Sequence, residues 1–108
     1  MNQNIRLIAR VDTNGIIQYV NNENLEWLGY SFKELIGQPS SILRAPNAIG
    51  NVQKTIQEEC QNNRPINFPV HEKKSNGETY WADMRIQPIF EAGQYIGYTS
   101  VKRLITSP

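Results

Sequence analysis

Two stretches decide the fold: Ile66-Asn67-Phe68-Pro69-Val70-His71, then, beyond the turn Ser75-Asn76-Gly77, Tyr80-Trp81-Ala82-Asp83-Met84-Arg85-Ile86-Gln87. In both the apolar residues recur every second position. That is the period of a strand with one face buried and the other in water. Asn-Gly supplies the positive φ of a tight hairpin turn, so the two runs pair antiparallel. Just upstream the period is different. Ile49, Val52, Ile56 and Cys60 follow helical spacing, which predicts a helix capped by Asn47 and running to about Asn62.

Working outward, residues 7 to 12 and Ile16-Ile17-Gln18-Tyr19-Val20 are rich in β-branched and aromatic residues on either side of Asp12-Thr13-Asn14-Gly15. They predict an opening hairpin. Asn21 or Asn22 is positioned to cap a short helix ending at Gly29, and Ser31 with Glu34 has the spacing of a capping box. Gly37 and Pro39 stop that second helix, and residues 40 to 44 allow at most one further turn. Glu91-Ala92-Gly93 turns the chain into a last strand of about Gln94 to Leu104. The order is two strands, several short helices, one longer helix and three strands. The fold class is α+β, a five-stranded antiparallel sheet with helices over one face.

At 108 residues the chain is read as a single domain, 1–108 with a core of about 7–105. The near-neutral charge of +1, with Lys and Arg scattered, argues against a nucleic-acid partner, which requires a basic surface. No apolar run reaches the roughly 20 residues needed to span a bilayer, so no direct membrane insertion is expected. The opening residues lack the layout of a secretory signal, and a cytoplasmic location is expected even where a parent chain carries a membrane anchor. One cysteine, Cys60, and one histidine, His71, are too few for a structural zinc site. No metal site and no catalytic residue is expected. Titratable groups are not clustered, no nucleophile–base order appears, and the domain is read as not an enzyme.

Several strings together resemble the PAS domain family. They are Val11 to Asn21, Leu28-Gly29-Tyr30-Ser31 with Glu34-Leu35-Ile36-Gly37-Gln38-Pro39, Asn76-Gly77-Glu78-Thr79-Tyr80-Trp81 with Pro88-Ile89, and Gly97-Tyr98. The resemblance covers about residues 7 to 105 and implies the PAS fold. Gly37-Gln38-Pro39 through Ile42-Leu43-Arg44 and Pro46, with the tail Gly97 to Arg103, is most similar to the PAS sensor domains of bacterial aerotaxis and methyl-accepting chemotaxis receptors. That subgroup implies a sensory input role in a longer signalling protein, a homodimer formed through the PAS domain or its flanking helices, and a downstream signalling domain in the same chain. It also implies flavin adenine dinucleotide as a candidate cofactor. Arg44 and Pro46 match the flavin-binding pattern, but Ala45, Asn47 and Ile66 stand where that pattern has His, Asp and Trp.

The cofactor is left unidentified. Flavin is weakened by those departures. Haem is not expected, because alternation turns His71 away from Ile66, Phe68 and Val70. A cysteine–flavin adduct is not expected either, since Cys60 sits where a core hydrophobe belongs. Under the resemblance, Ile66, Phe68, Tyr80, Ala82 and Met84 line a central cavity. Arg44, Asn47 and Thr99 supply its polar contacts, and Thr99 and Val101 point inward by parity. Trp81, with Tyr98, is read as an outward interaction surface. Two functions stay open: a sensor that binds a small ligand or cofactor, and a cofactor-free dimerisation or docking module.

Overall fold

The turn at Asp12 shows how closely local chemistry directs the backbone. In the computed structural model, which describes residues 5–48, 50 and 52–107, Asp12 Oδ1 accepts from the backbone N–H of Asn14 at 2.8 Å and of Ile16 at 3.0 Å. This closes strands β1 (Arg6–Asp12) and β2 (Ile17–Val20) into a hairpin. Asn21 then caps helix α1 (Asn22–Leu28), its side chain accepting from Asn24 N–H. The same Oδ1 also accepts from Ile8 N–H at 3.1 Å, pinning the helix start to β1. Ser31 and Glu34 form the reciprocal capping box of helix α2 (Phe32–Leu35). A single 3₁₀ turn follows at Ser40–Leu43.

The longer helix, α3, spans Val52–Gln61 and is shorter at its start than the sequence predicts. Asn47 lies in a turn, five residues ahead of the described start of the helix. Gly50 at φ +87° breaks right-handed winding before the helix can begin, and the expected apolar position Ile49 lies outside the described residues. Strands β3 (Ile66–Lys73), β4 (Thr79–Glu91) and β5 (Gln94–Ile105) complete one antiparallel sheet of order β2-β1-β5-β4-β3. The α+β fold with helices over one sheet face is therefore as expected.

Register assigns the faces. Val70 pairs with Ala82, Met84 with Lys102, and Ile86 with Ser100. Leu7, Ala9 and Val11 of β1 pair with Lys102, Ser100 and Tyr98. All of these look toward the helices, where the core packs in two clusters. One joins Val11, Ile56, Cys60, Val70, Met84 and Tyr98. The other joins Ile17, Val20, Leu28, Leu35 and Leu43.

The parity expected for β5 is reversed. Thr99 pairs with Arg10 and Gln87, and Val101 with Ile8 and Arg85, so both lie on the face away from the helices. Tyr98, expected outside, is 3% exposed and sits in the core. The resemblance and strand parity place Thr99 and Val101 inside and Tyr98 outside. The strand instead buries Ser100 and Lys102, because the charge of Lys102 finds a partner in the interior.

Candidate ligand cavity

Between the helices and the sheet lies a cavity of about 620 Å³. Its walls are largely apolar, with Leu28, Leu35 and Leu43 from the helical side facing Val70 and Met84 of the sheet. The volume falls within the range of small-molecule sites, roughly 300–1,000 Å³. Among the described residues no group of His, Cys, Asp and Glu could hold a metal ion, and no helix is long and apolar enough to cross a membrane.

The polar groups in this wall are few and specific. Glu72 near the end of β3 and Lys102 of β5 are each 7% exposed. Lys102 Nζ donates to both carboxylate oxygens of Glu72 at 2.8 Å, reaching across β4. Tyr80 Oη donates to Glu72 Oε1 at 2.9 Å. Burial and the adjacent Glu72 charge push the Tyr80 phenol far above its ordinary range, so it stays a neutral donor. A backbone bridge between Arg44 and Glu72, with Ala45 N–H donating to His71 C=O at 3.0 Å, straps the loop after the 3₁₀ turn onto this end of β3.

A second polar group forms around Gln53 of α3. Its Oε1 accepts from Tyr98 Oη and Ser40 Oγ, each at 3.4 Å, while its Nε2 is buried without a partner. Burial is the main cause that pushes the Tyr98 hydroxyl up to about 12, against the lowering effect of its bonds to Ser40 and Gln53. Asn24 of α1, 3% exposed, also lines the space and donates to Ile8 C=O at 3.4 Å.

Of the residues read from sequence as cavity contacts, Arg44, Asn47 and Met84 reach the wall. Arg44 is half-buried, and its guanidinium donates to Gly50 C=O at 2.8 Å. Asn47 is exposed at the rim. Ile66, Phe68, Tyr80 and Ala82 pack in or against the core beside the cavity and do not line it. Thr99 belongs to a groove on the other sheet face, with Arg85, Val101 and Arg103. The residues that the resemblance assigned to flavin are thus not gathered around one space, and no flavin chemistry is derived from them.

Trp81 does lie on the outer face, but it is half-buried. His71, its cross-strand partner, stacks on it with ring centroids 4.4 Å apart and planes within 7°. Both residues also border the cavity at the end of β3. Tyr98 does not share that surface. Cys60 is fully buried outside the cavity wall, and burial raises its thiol pKa.

The pair Glu72–Lys102 was missed in the sequence, where Glu72 reads as one end of a charged run with Lys73 and Lys74. A signal was present. Extending the alternation Ile66, Phe68, Val70 by one step puts Glu72 on the buried face.

Comparisons with known proteins agree with this architecture. Residues 5–103 match the family model described as PAS domain. The aerotaxis receptor of Escherichia coli is 25% identical over 100 residues, covering 93% of this chain and 20% of that protein. Two-component system protein A of Emericella nidulans is 30% identical over 79 residues, 72% of this chain and 12% of that protein. The chain therefore spans a fifth or less of the length of these relatives. Among solved structures, the PAS domain of a protein from Colwellia psychrerythraea superposes with a TM-score of 0.84 at 24% identity, covering 94% of this chain and 87% of that one. The dark structure of the blue-light photoreceptor Aureochrome1 LOV gives a TM-score of 0.80 at 16% identity, covering 93% and 75%.

Proposed function

The chain belongs to the PAS domain family, and from that premise we propose that it is the sensory input module of a longer, chemotaxis-type signalling protein, binding a small organic ligand in its helix-side cavity. The observation that supports this most is the buried Glu72–Lys102 pair set into the wall of a 620 Å³ apolar cavity. Burying an ion pair is costly, and well-packed apolar residues would give equal or greater stability. A charged pair facing interior space therefore favours recognition over packing as its role.

The same pair suggests a route for the signal. Lys102 lies near the C-terminal end of β5, the last strand, and Glu72 holds it from two strands away. A ligand that competes for either partner shifts β5 relative to β3 and so acts on whatever follows the strand. This needs different affinities for two arrangements of the pair. The reading assigns the domain binding rather than turnover, a cytoplasmic place of work, and a downstream domain in its parent chain.

The test is mass spectrometry of the small molecules released on denaturing the purified protein, alongside its absorption spectrum. A molecule retained by the wild type and lost in a cavity-filling Met84→Trp variant supports the reading. A wild type that releases nothing, and whose thermal midpoint is unmoved by a fractionated metabolite extract, overturns it. The second reading is dimerisation or docking through the outer sheet face. It is favoured by the Trp81–His71 stack beside a groove that holds Arg85 and Arg103. Sedimentation of wild type against Arg85→Glu separates the two, since Arg85 lies in the outer-face groove and not in the cavity wall, so only docking through that face is disrupted by the reversed charge.

A further inference from the structure

Resting on the ligand-binding reading, we infer that the cavity selects an uncharged heterocycle with a lactam edge, a ring N–H beside a ring C=O, presented to Glu72 and Lys102. The argument is a count of hydrogen-bond capacity. An ammonium group carries three donors and a carboxylate about four acceptor sites. Lys102 spends two donors on Glu72, and no other described residue takes a third. Glu72 Oε1 accepts from Lys102 and Tyr80, whereas Oε2 accepts from Lys102 alone. One donor and one acceptor are left, side by side, on two side chains that are 8% and 9% exposed and line the cavity.

An adjacent donor and acceptor are complementary to an –NH–CO– edge. The ligand N–H donates to Glu72 Oε2, and its C=O accepts from Lys102 Nζ. Charge narrows the class further. Glu72 and Lys102 neutralise each other, and Arg44, a further cation of this wall, donates its guanidinium to Gly50 C=O, so a ligand carboxylate set against the pair meets Glu72 and a ligand ammonium meets Lys102 as like charges. An uncharged edge satisfies both groups without that penalty. An alcohol satisfies them less well, because its single oxygen must serve both. The walls of Leu28, Leu35, Leu43, Val70 and Met84 suit flat rings behind the edge.

The experiment is calorimetric and ligand-observed NMR titration of the wild-type domain with quinazolinedione, its 1,3-dimethyl derivative, benzoate and benzylamine. The series is repeated on the triple variant Glu72→Met/Tyr80→Phe/Lys102→Met, which removes the donor and acceptor of the pair together with the phenol that depends on Glu72. The expected result is that quinazolinedione binds the wild type about tenfold or more tightly than the dimethyl derivative, which has no ring N–H and leaves the Glu72 acceptor unpaired. The triple variant loses that preference while retaining the wild-type circular dichroism spectrum. The comparison of the two diones stands on wild-type protein alone if the triple variant does not fold. Equal affinity for the two, or a preference for benzoate or benzylamine, overturns the lactam assignment and leaves ligand binding intact. Binding of none of the four also overturns it, and the release measurement on purified protein then judges the broader reading separately.

Discussion

Lys102 and Glu72 behave as a unit because each is buried with the other as its charged partner. Removing one partner alone leaves an uncompensated charge. Lys102→Met is expected to destabilise the domain by about 3–5 kcal/mol, whereas Glu72→Gln/Lys102→Met is expected to lie close to wild type or above it. Urea denaturation midpoints of the two variants check this, and equal losses would mean that the two side chains are not coupled. This pair is also where sequence reading went furthest astray at the level of single residues. The resemblance and strand parity give Thr99 the inward place that Ser100 occupies. Polarity is a sound guide to the outer face only while buried polar groups are unpaired, and pairing between β3 and β5 is invisible along the chain.

Elements whose ends are set by neighbours in sequence were legible. The Asp12 turn, the Asn21 cap and the Ser31–Glu34 box all form as their spacing implies. Ser31→Ala is expected to cost about 1 kcal/mol through loss of the α2 cap, read from thermal unfolding. The hydrogen bond from Ser31 N–H, and then that from its hydroxyl, hold the Glu34 carboxyl below its ordinary value. A depressed folded pKa contributes stability that is present above the unfolded pKa and lost as pH falls through the folded one. The Glu34 contribution therefore fades on acidification below about pH 4.3, the ordinary glutamate value. NMR titration of Glu34 at or above that value would show the box to be open in solution. The start of α3 was not legible, because Gly50 takes up a left-handed conformation there. Gly97 makes the reverse point for β5. It adopts φ +140°, and a Cβ there collides with the Val11 carbonyl oxygen across the β1–β5 pairing. Gly97→Ala is expected to cost roughly 1–3 kcal/mol and to loosen β1 from β5, measurable as faster amide exchange in β1.

Across the whole molecule, the buried phenols make the fold sensitive to alkali. Tyr80, Tyr95 and Tyr98 all have raised pKa values, with burial the leading cause in each. A raised folded pKa contributes stability that is complete below the unfolded value, near pH 10, and is lost as pH rises toward the folded one. For Tyr98 that window runs from about 10 to about 12. Denaturant midpoints are expected to fall steeply over it, with Tyr80, Tyr95 and Tyr98, followed by NMR apart from the exposed Tyr19, ionising only as the protein unfolds. A flat midpoint with early ionisation of these three rings would contradict their burial. Tyr98 belongs to this argument because it is a core residue holding Gln53, and that role replaces the surface role its sequence context implied.

The sequence by itself determined the α+β class, the order of strands and helices, most turns and caps, and the family. Each of these rests on residues near one another in the chain or on motifs read in order. Only the tertiary structure decided which face of β5 is buried, that α3 begins at Val52, and which residues line the cavity. Those outcomes depend on partners far apart in sequence. Glu72 and Lys102 are thirty residues apart, and they meet only because β4 lies between their strands and sets the register that brings their inner faces together.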